Sequence, residues 1–291
     1  MTMLGQQEVQ YGYARTPRGQ VHYVEAGSGP PLLLLGESPR SHRHFRKMLP
    51  ELSRHFRTIA IDTPGYGNSH PAPSPMTVPA VADCVADFLD SMALDRCKVF
   101  GVHTGNKIAA SLAANRPDRV EKLVLAGYTH SIIPDMATRN AAILPIFERY
   151  APRFTPSADG AHLARQWLAT HAYANGLWWP PKLLTAKTIV DDDIDGTEAQ
   201  VIDYLLGWRS VVPMYQAIFD FDLADAFVRI EAPTLVLEFT TPEEKHLGPQ
   251  AELICSTMKR ATPATLPVTW LYALETQADE LVDAIVPFLS A

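Results

Sequence analysis

The chain has 291 residues, of which 47% are hydrophobic and 20% charged, and its formal net charge is −7. This length suits one large α/β domain, and the hydrophobic fraction is ample for a core. Net negative charge with scattered Lys and Arg argues against nucleic acid as a partner. No run of 18 apolar residues occurs, so we expect no membrane span. The first residues lack a basic and an apolar segment, so we also expect no signal peptide.

Cysteine usage bears on metals and on the redox environment. The chain contains Cys84, Cys97 and Cys255, an odd number whose spacing fits no metal-binding pattern. Each lies in an apolar context, which favours buried thiols in a reducing cytoplasm over disulfides. We therefore predict a cytoplasmic protein with no metal. No G-x-G-x-x-G phrase is present, so no dinucleotide cofactor is expected either.

The first half of the chain alternates short apolar runs with helical patterns. Strands are predicted at 9–16, 20–26, 30–35, 58–61, 98–102 and 122–126. Helices are predicted at 42–55, 79–92 and 104–115. Strands that alternate with helices indicate crossover units and a parallel sheet.

The pattern changes between residues 129 and 215, where aromatic residues and prolines replace the strand signal. The sheet pattern then resumes, with predicted strands at 234–239 and 268–273 and helices at 250–258 and 278–289. We therefore predict a core formed by 1–128 and 216–291, interrupted by a helical lid over 129–215.

Four local phrases resemble those of the α/β-hydrolase superfamily, and the resemblance covers nearly the whole chain. They are D-T-P-G-Y-G-N-S at 62–69, G-V-H-T-G at 101–105, R-P-D-R-V at 116–120 and A-P-T-L-V-L at 232–237. The resemblance implies a mostly parallel eight-stranded sheet flanked by helices, with a helical cap inserted after the sixth strand.

The residues at the catalytic positions depart from that family. In G-V-H-T-G the glycines would allow a tight strand-to-helix turn that lifts the middle residue above the sheet edge. That residue is His103, where the family has Ser and sometimes Asp or Cys. The slot of the triad acid falls at Pro242, with Glu243 one residue away, and the slot of the triad histidine falls at Leu271. The resemblance therefore implies a noncanonical triad.

The segment after the third strand carries a further candidate pair. The H-G of the family corresponds to Gly36-Glu37 here. By resemblance, the amides near Ser38 and of Thr104 would form an oxyanion hole. Glu37 would face His103, and a carboxylate beside an imidazole is expected to raise the imidazole pKa.

Further candidate substrate-binding residues each have a structural alternative. Arg40 would bind an anionic group or form an ion pair at a helix start, and Glu238 would line the pocket or form a salt bridge. His162 lies on the predicted lid, and a metal cluster with Asp159 and His103 is the weaker reading. Trp178 and Trp179 would contact an apolar substrate or anchor the lid.

Three functions stay open on the sequence alone. The first is an enzyme acting on a small, mostly apolar carbonyl substrate, with His103 as general base, acid or nucleophile and Glu37 as its partner, in hydrolytic or lyase-type chemistry. The second is an inactive homologue that binds a small hydrophobic ligand. The third is an ordinary hydrolase that uses Ser38 or Thr104 as nucleophile. The sequence leaves the oligomeric state undetermined.

Overall fold

The computed structural model describes residues 8–150, 156–174, 191–242, 244–268 and 273–291. Their centre is an eight-stranded sheet with the strand order β1-β2-β4-β3-β5-β6-β7-β8. The first two pairings, β1 with β2 and β2 with β4, are antiparallel, and all the others are parallel. The mostly parallel eight-stranded sheet predicted from the sequence is confirmed.

The strands have the following bounds: β1 Gln10–Thr16, β2 Gly19–Ala26, β3 Pro31–Leu35, β4 Arg57–Ile61, β5 Cys97–Val102, β6 Val120–Tyr128, β7 Thr234–Thr240 and β8 Ala261–Pro267. The central strand β3 is almost wholly apolar because helices cover both faces of the sheet. Leu33 and Leu35 pack into one core, and Leu32 and Leu34 pack into the other. This alternation follows from the period of two in a strand.

The helices are α1 Met48–Leu52, α2 Val78–Ser91, α3 Thr104–Asn115, α4 Thr129–Ile132, α5 Met136–Tyr150, α6 Ala161–Ala174, α7 Asp191–Phe219, α8 Leu223–Arg229, α9 Ala251–Thr257, α10 Ala273–Thr276 and α11 Ala278–Ser290. The core that contains Leu33 also contains buried residues of α2, α3 and α8. The opposite core contains buried residues of α1 and α11. The sheet is therefore enclosed on both faces.

One predicted helix was wrong in its bounds. The helix predicted over 42–55 is a 3₁₀ helix at His42–Phe45 followed by the short α1. Pro50 lacks an amide hydrogen, so a continuous helix could not form the bond from residue 50 to the carbonyl of Arg46.

The last strand was predicted at 268–273, and residues 269–272 lie outside the described ranges. The last strand that the structure describes is Ala261–Pro267. It pairs only with β7, so it is an edge strand. Most of its residues are partly or fully exposed, and an edge strand tolerates Pro263 and Pro267. This strand therefore lacks the run of apolar residues that predicts a buried strand.

The described part of the insertion between β6 and β7 is helical and contains α4 to α7. The last of these helices continues to Phe219, four residues beyond the predicted boundary at 215. The division into core and lid stays a prediction. Cys84 and Cys97 are free and buried, and Cys255 is free and partly buried. No helix in the described ranges is long and apolar enough to cross a membrane.

Candidate active site

His103 lies at the apex of a sharp turn between β5 and α3. Its backbone has φ 51° and ψ −111°, a strained conformation for a residue with a side chain. The turn depends on Gly101 and Gly105: a Cβ on the first would meet the backbone of the second, and a Cβ on Gly105 would meet the Leu35 carbonyl. The strand, the strained apex and the helix together hold the imidazole at the carboxyl edge of the sheet.

The imidazole of His103 packs among aromatic rings. It stacks on Tyr128, with ring centroids 4.9 Å apart and planes inclined by 21°, and it meets the edge of Phe239 at 6.3 Å. Burial, followed by the positive charges of His130 and Lys107, lowers the pKa of His103 well below its ordinary value. The imidazole is therefore neutral at pH 7 and carries a lone pair that can accept a proton.

Glu37 follows β3 and faces His103 across the site. Its Oε2 is 3.7 Å from Nε2 of His103, and its Oε1 is 3.6 Å from Nε2 of His44. Both distances exceed hydrogen-bond length. Burial raises the pKa of Glu37 to about 8, despite the nearby Arg40, so the carboxyl is mainly protonated at neutral pH.

The pKa of His103 is shifted in the direction opposite to the one expected from the sequence. The sequence led us to expect a carboxylate that raises the imidazole pKa, but the pKa of His103 is lowered and that of Glu37 is raised. Desolvation penalises the charged form of both groups and exceeds their attraction at 3.7 Å. The pair is a neutral acid beside a neutral base.

The predicted oxyanion residues are adjacent, but one amide is already engaged. The backbone N–H of Ser38 donates to Oγ1 of Thr104 at 3.2 Å, so the threonine hydroxyl accepts the bond that a substrate oxygen would need. The hydroxyl of Ser38 lies 2.6 Å from that of Tyr66. Burial raises the pKa of Tyr66, so this partner is a neutral phenol and not a general base. This pairing argues against Ser38 as a nucleophile.

Arg40 lies behind Glu37 in a buried ionic network. Its Nε donates to Asp203 at 3.1 Å and its Nη2 to Glu275 at 2.7 Å. Among the described residues its Nη1 has no hydrogen-bond partner, and it lies 3.9 Å from Oε1 of Glu37. Two of the three guanidinium nitrogens thus form structural ion pairs, and Nη1 is the nitrogen that lies near Glu37.

Glu238 is buried at the end of β7 and has structural partners. Its carboxylate accepts hydrogen bonds from the hydroxyl of Thr129 and from the amides of Gln250 and Ala251, each at 2.9 Å. The two amides belong to the start of α9, where a carboxylate satisfies unpaired N–H groups. Capping accounts for this residue without contact to a substrate.

A second acid–imidazole pair was missed by the sequence analysis. Nδ1 of His130, just after β6, is hydrogen-bonded to Oε1 of Glu244, four residues after β7. The other oxygen of Glu244 accepts the amide of Thr129 at 3.1 Å. Glu244 is two residues beyond Pro242, where the triad acid was sought. Glu244 is thus paired with an imidazole from α4.

His130 joins the same aromatic stack as His103. Its ring is nearly parallel to that of Tyr128, at 7° and 6.3 Å. Burial, then the charges of Lys107 and His246, lowers the pKa of His130 to about 3. A neutral ring that donates from Nδ1 carries its lone pair on Nε2. Glu244 thereby orients His130 as a proton acceptor, the arrangement typical of acid–imidazole pairs.

The remaining predicted residues lie apart from this centre or outside the described ranges. Nδ1 of His162 accepts the amide of Ser157 at 3.1 Å at the start of α6. Within the described ranges, no group of three possible metal ligands includes His103, Asp159 or His162. The positions that lie outside the described residues are Trp178, Trp179, Glu243 and Leu271.

The chain is similar to known proteins of one fold family. A family model described as alpha/beta hydrolase fold matches residues 30–248. Among curated proteins, haloalkane dehalogenase 2 of Mycobacterium tuberculosis is 35% identical over 109 residues, covering 37% of this chain and 38% of that protein. The 2-hydroxy-6-oxo-2,4-heptadienoate hydrolase of Pseudomonas putida is 36% identical over 110 residues, covering 37% and 40%. The matched part thus spans less than half of each relative's length.

Solved structures resemble nearly the whole chain. A hydrolase from Pseudomonas aeruginosa aligns with a TM-score of 0.68 and 26% identity, over 97% of this chain and 99% of that one. The epoxide hydrolase CorEH aligns with a TM-score of 0.72 and 19% identity, over 97% and 99%. The second likeness, at this identity, concerns the fold alone.

Proposed function

The chain belongs to the α/β-hydrolase fold family, and from this premise we propose that it hydrolyses a small, mostly apolar carbonyl compound with His103 as general base. The observation that carries the proposal is a neutral imidazole held at the elbow apex, 3.7 Å from a carboxyl group that is mainly protonated at neutral pH. When water attacks a carbonyl, a base must take a proton from the water and an acid must donate to the carbonyl oxygen, and both groups are present at this centre.

The reaction begins with a water molecule next to Nε2 of His103. The imidazole takes a proton from this water as the water oxygen bonds to the carbonyl carbon. The carbonyl π electrons move onto the carbonyl oxygen, which receives hydrogen bonds from the protonated Glu37 and from the first amides of α3, including that of Thr104. The imidazolium returns the proton to the leaving group as its bond to carbon breaks.

Glu37 has a specific place in this scheme. The Ser38 amide already donates to Thr104, so the oxyanion needs another donor. A carboxylic acid kept neutral by its surroundings is such a donor. Arg40, through its unpaired Nη1, would hold the acid in place or contact a polar substrate group.

The substrate class rests on the surroundings and on the relatives. Tyr128 and Phe239 give His103 apolar, aromatic neighbours. The curated relatives include proteins named for haloalkanes, epoxides and an oxo-heptadienoate. These compounds are small and rich in carbon, and they support a small, mostly apolar substrate for this chain.

The test compares His103→Gln with the exposed control His55→Gln on a panel of short-chain activated esters and β-diketones. Removing a general base is expected to lower kcat by about 10²- to 10⁴-fold, while the control keeps wild-type turnover. Unchanged turnover in His103→Gln overturns the proposal. Labelling of the protein by a fluorophosphonate would show instead an ordinary serine nucleophile.

Ligand binding without turnover is the second candidate function. The engaged amide of Ser38 favours it, because a hydrolase needs its oxyanion donors free. This candidate is supported if the wild-type protein binds an apolar fluorescent ligand in a manner sensitive to His103→Gln but hydrolyses no member of the panel.

A further inference from the structure

Two histidines and an aspartate converge away from the candidate active site. His22 lies in β2, His42 begins the 3₁₀ helix, and Asp62 directly follows β4. Nδ1 of His22 is 3.0 Å from Oδ2 of Asp62, and Nδ1 of His42 is 2.8 Å from Oδ1. One ligand atom from each of the three residues lies within 4.8 Å of the other two. We propose that these three side chains bind a borderline divalent cation such as Zn²⁺.

The donor set suits this class of metal. Two imidazoles and one carboxylate are the ligands of many three-residue zinc sites, in which water takes the fourth position. Two ligands of one zinc ion lie about 2.9 to 3.4 Å apart when each is about 2.0–2.1 Å from the metal. The separation of His22 from Oδ2 of Asp62 falls within this range and that of His42 from Oδ1 lies just below it, so the two oxygens of the carboxylate would bind one ion together. Each neutral ring then carries its proton on Nε2.

The carboxylate is held in place independently of the imidazoles. The amide of His42 donates to Oδ1 of Asp62 at 2.7 Å, and the amide of Asn68 donates to Oδ2 at 2.9 Å. Backbone donors that orient a metal-binding carboxylate are a usual second layer of such sites.

The cluster is reachable from outside the candidate active site. Tyr13 meets the His22 ring edge-on at 5.0 Å and Tyr11 meets the His42 ring at 5.9 Å. These tyrosines are on β1 at the edge of the sheet and are 53% and 70% exposed. The side chain of His42 retains 10% exposure, whereas Asp62 is fully buried. A cation would therefore enter between the two tyrosines and meet the imidazoles first.

The same 3₁₀ helix connects this cluster to the candidate pair. His42 at its start belongs to the cluster, and His44, two residues later, lies 3.6 Å from Glu37. An ion bound at the cluster would fix the segment after β3 to the loop after β4. We expect a structural effect of the metal on that segment and no direct part in the reaction.

The test uses the full-length protein, freed of any affinity tag and of metal, and titrated with Zn²⁺ and Co²⁺ at pH 7.5. We expect one equivalent to bind, a rise in Tm, and a visible Co²⁺ absorption band. His22→Gln and His42→Gln should each weaken binding at least tenfold, and the double variant should abolish it. The control His55→Gln should bind as the wild type does.

Absence of stoichiometric binding, or binding that survives the double variant, overturns the proposal and leaves a purely hydrogen-bonded cluster. If the variants fold poorly, the wild-type protein still decides the matter. Paramagnetic Co²⁺ should shift the ring protons of His22 and His42, and shifts confined to other histidines contradict the site.

Discussion

The two acid–imidazole pairs, one after the central strands β3 and β5 and the other after β6 and β7, differ in the distance between acid and imidazole. Glu244 touches His130 directly and also accepts the Thr129 amide, whereas Glu37 stands 3.7 Å from His103 with no hydrogen bond between them. Both imidazoles are neutral because both are buried. The first pair is joined by a hydrogen bond, whereas the imidazole and the carboxyl of the second pair are not bonded to each other and are 15% and 21% exposed.

This contrast indicates that the two pairs have different roles. Buried polar groups that already have partners stabilise a structure, while unsatisfied ones are retained where a ligand completes them. His130 and Glu244 therefore suit a positioning role beside Tyr128. His103 and Glu37 suit direct contact with a reacting molecule.

The largest expected effect comes from the turn that carries His103. In Gly105→Ala the new methyl group would meet the backbone of Leu35 and Gly36, which cannot move away, so we expect a loss of about 4 kcal/mol or more. Gly248→Ala is the control, since its surroundings are open and only its positive φ costs about 1 kcal/mol. Urea unfolding measures both, and equal losses would contradict the strained elbow.

Breaking the tight pair should cost more stability than altering the loose one. Glu244→Ala leaves His130 and the Thr129 amide without their acceptor, at about 2–4 kcal/mol. Glu37→Gln breaks no hydrogen bond to His103 and removes a carboxyl whose ionisation is penalised in the folded protein, so it should raise stability at pH 7 and not lower it. The comparison of the pairs fails if the two variants unfold at the same urea concentration.

His130 and Glu37, one group from each pair, should respond to pH with opposite signs. His130 has a pKa of about 3 in the folded protein against 6.5 ordinarily, so the unfolded chain binds more protons between these values and stability is lost as pH falls below 6.5. Glu37 has a pKa of about 8 against 4.5, so the folded protein binds more protons and stability is lost as pH rises from 4.5 to 8.

Each group changes the free energy of unfolding by at most about 1.4 kcal/mol per pH unit. The 21% exposure of the Glu37 side chain screens its charge, which reduces the pKa shift and narrows the pH range over which it acts. His130→Gln should flatten the loss of stability below pH 6.5, and Glu37→Gln should flatten the loss between pH 4.5 and pH 8. A curve unchanged by either substitution would show that the pairs do not titrate as described.

The smallest effect concerns the loop that carries Glu37. Tyr66→Phe removes the partner of the Ser38 hydroxyl and should cost about 1 kcal/mol, with little change in the pH profile of stability. Thermal unfolding of this variant beside Tyr13→Phe, an exposed tyrosine of β1, measures the difference. A loss above that of Glu244→Ala would reverse the ranking of the two regions.

Much of the fold was predictable from local patterns. The apolar run at Pro31–Leu35 indicated a strand covered on both faces, and the glycines around His103 indicated the strained turn. These features depend on neighbouring residues, so the sequence contains them directly. The edge strand Ala261–Pro267 carried no such signal, because one of its sides has no strand to pair with.

The candidate site was predictable only in part. Glu37 and His103 were expected to meet, and their oxygen and nitrogen lie 3.7 Å apart. The pair of His130 and Glu244 was not found, since 114 positions separate the two residues and neither belongs to a phrase of the family. A search for any acid within a few residues after β7, paired with any histidine after a neighbouring parallel strand, would have identified it.

The sequence by itself determined which residue stands at the apex of the elbow, because a turn between two glycines is a property of adjacent backbone atoms. Only the tertiary structure decided the charge of that residue. Burial from distant segments removes water from both Glu37 and His103 and penalises their charged forms more than their mutual attraction compensates. The sign of a pKa shift depends on everything packed around a group, which no local phrase records.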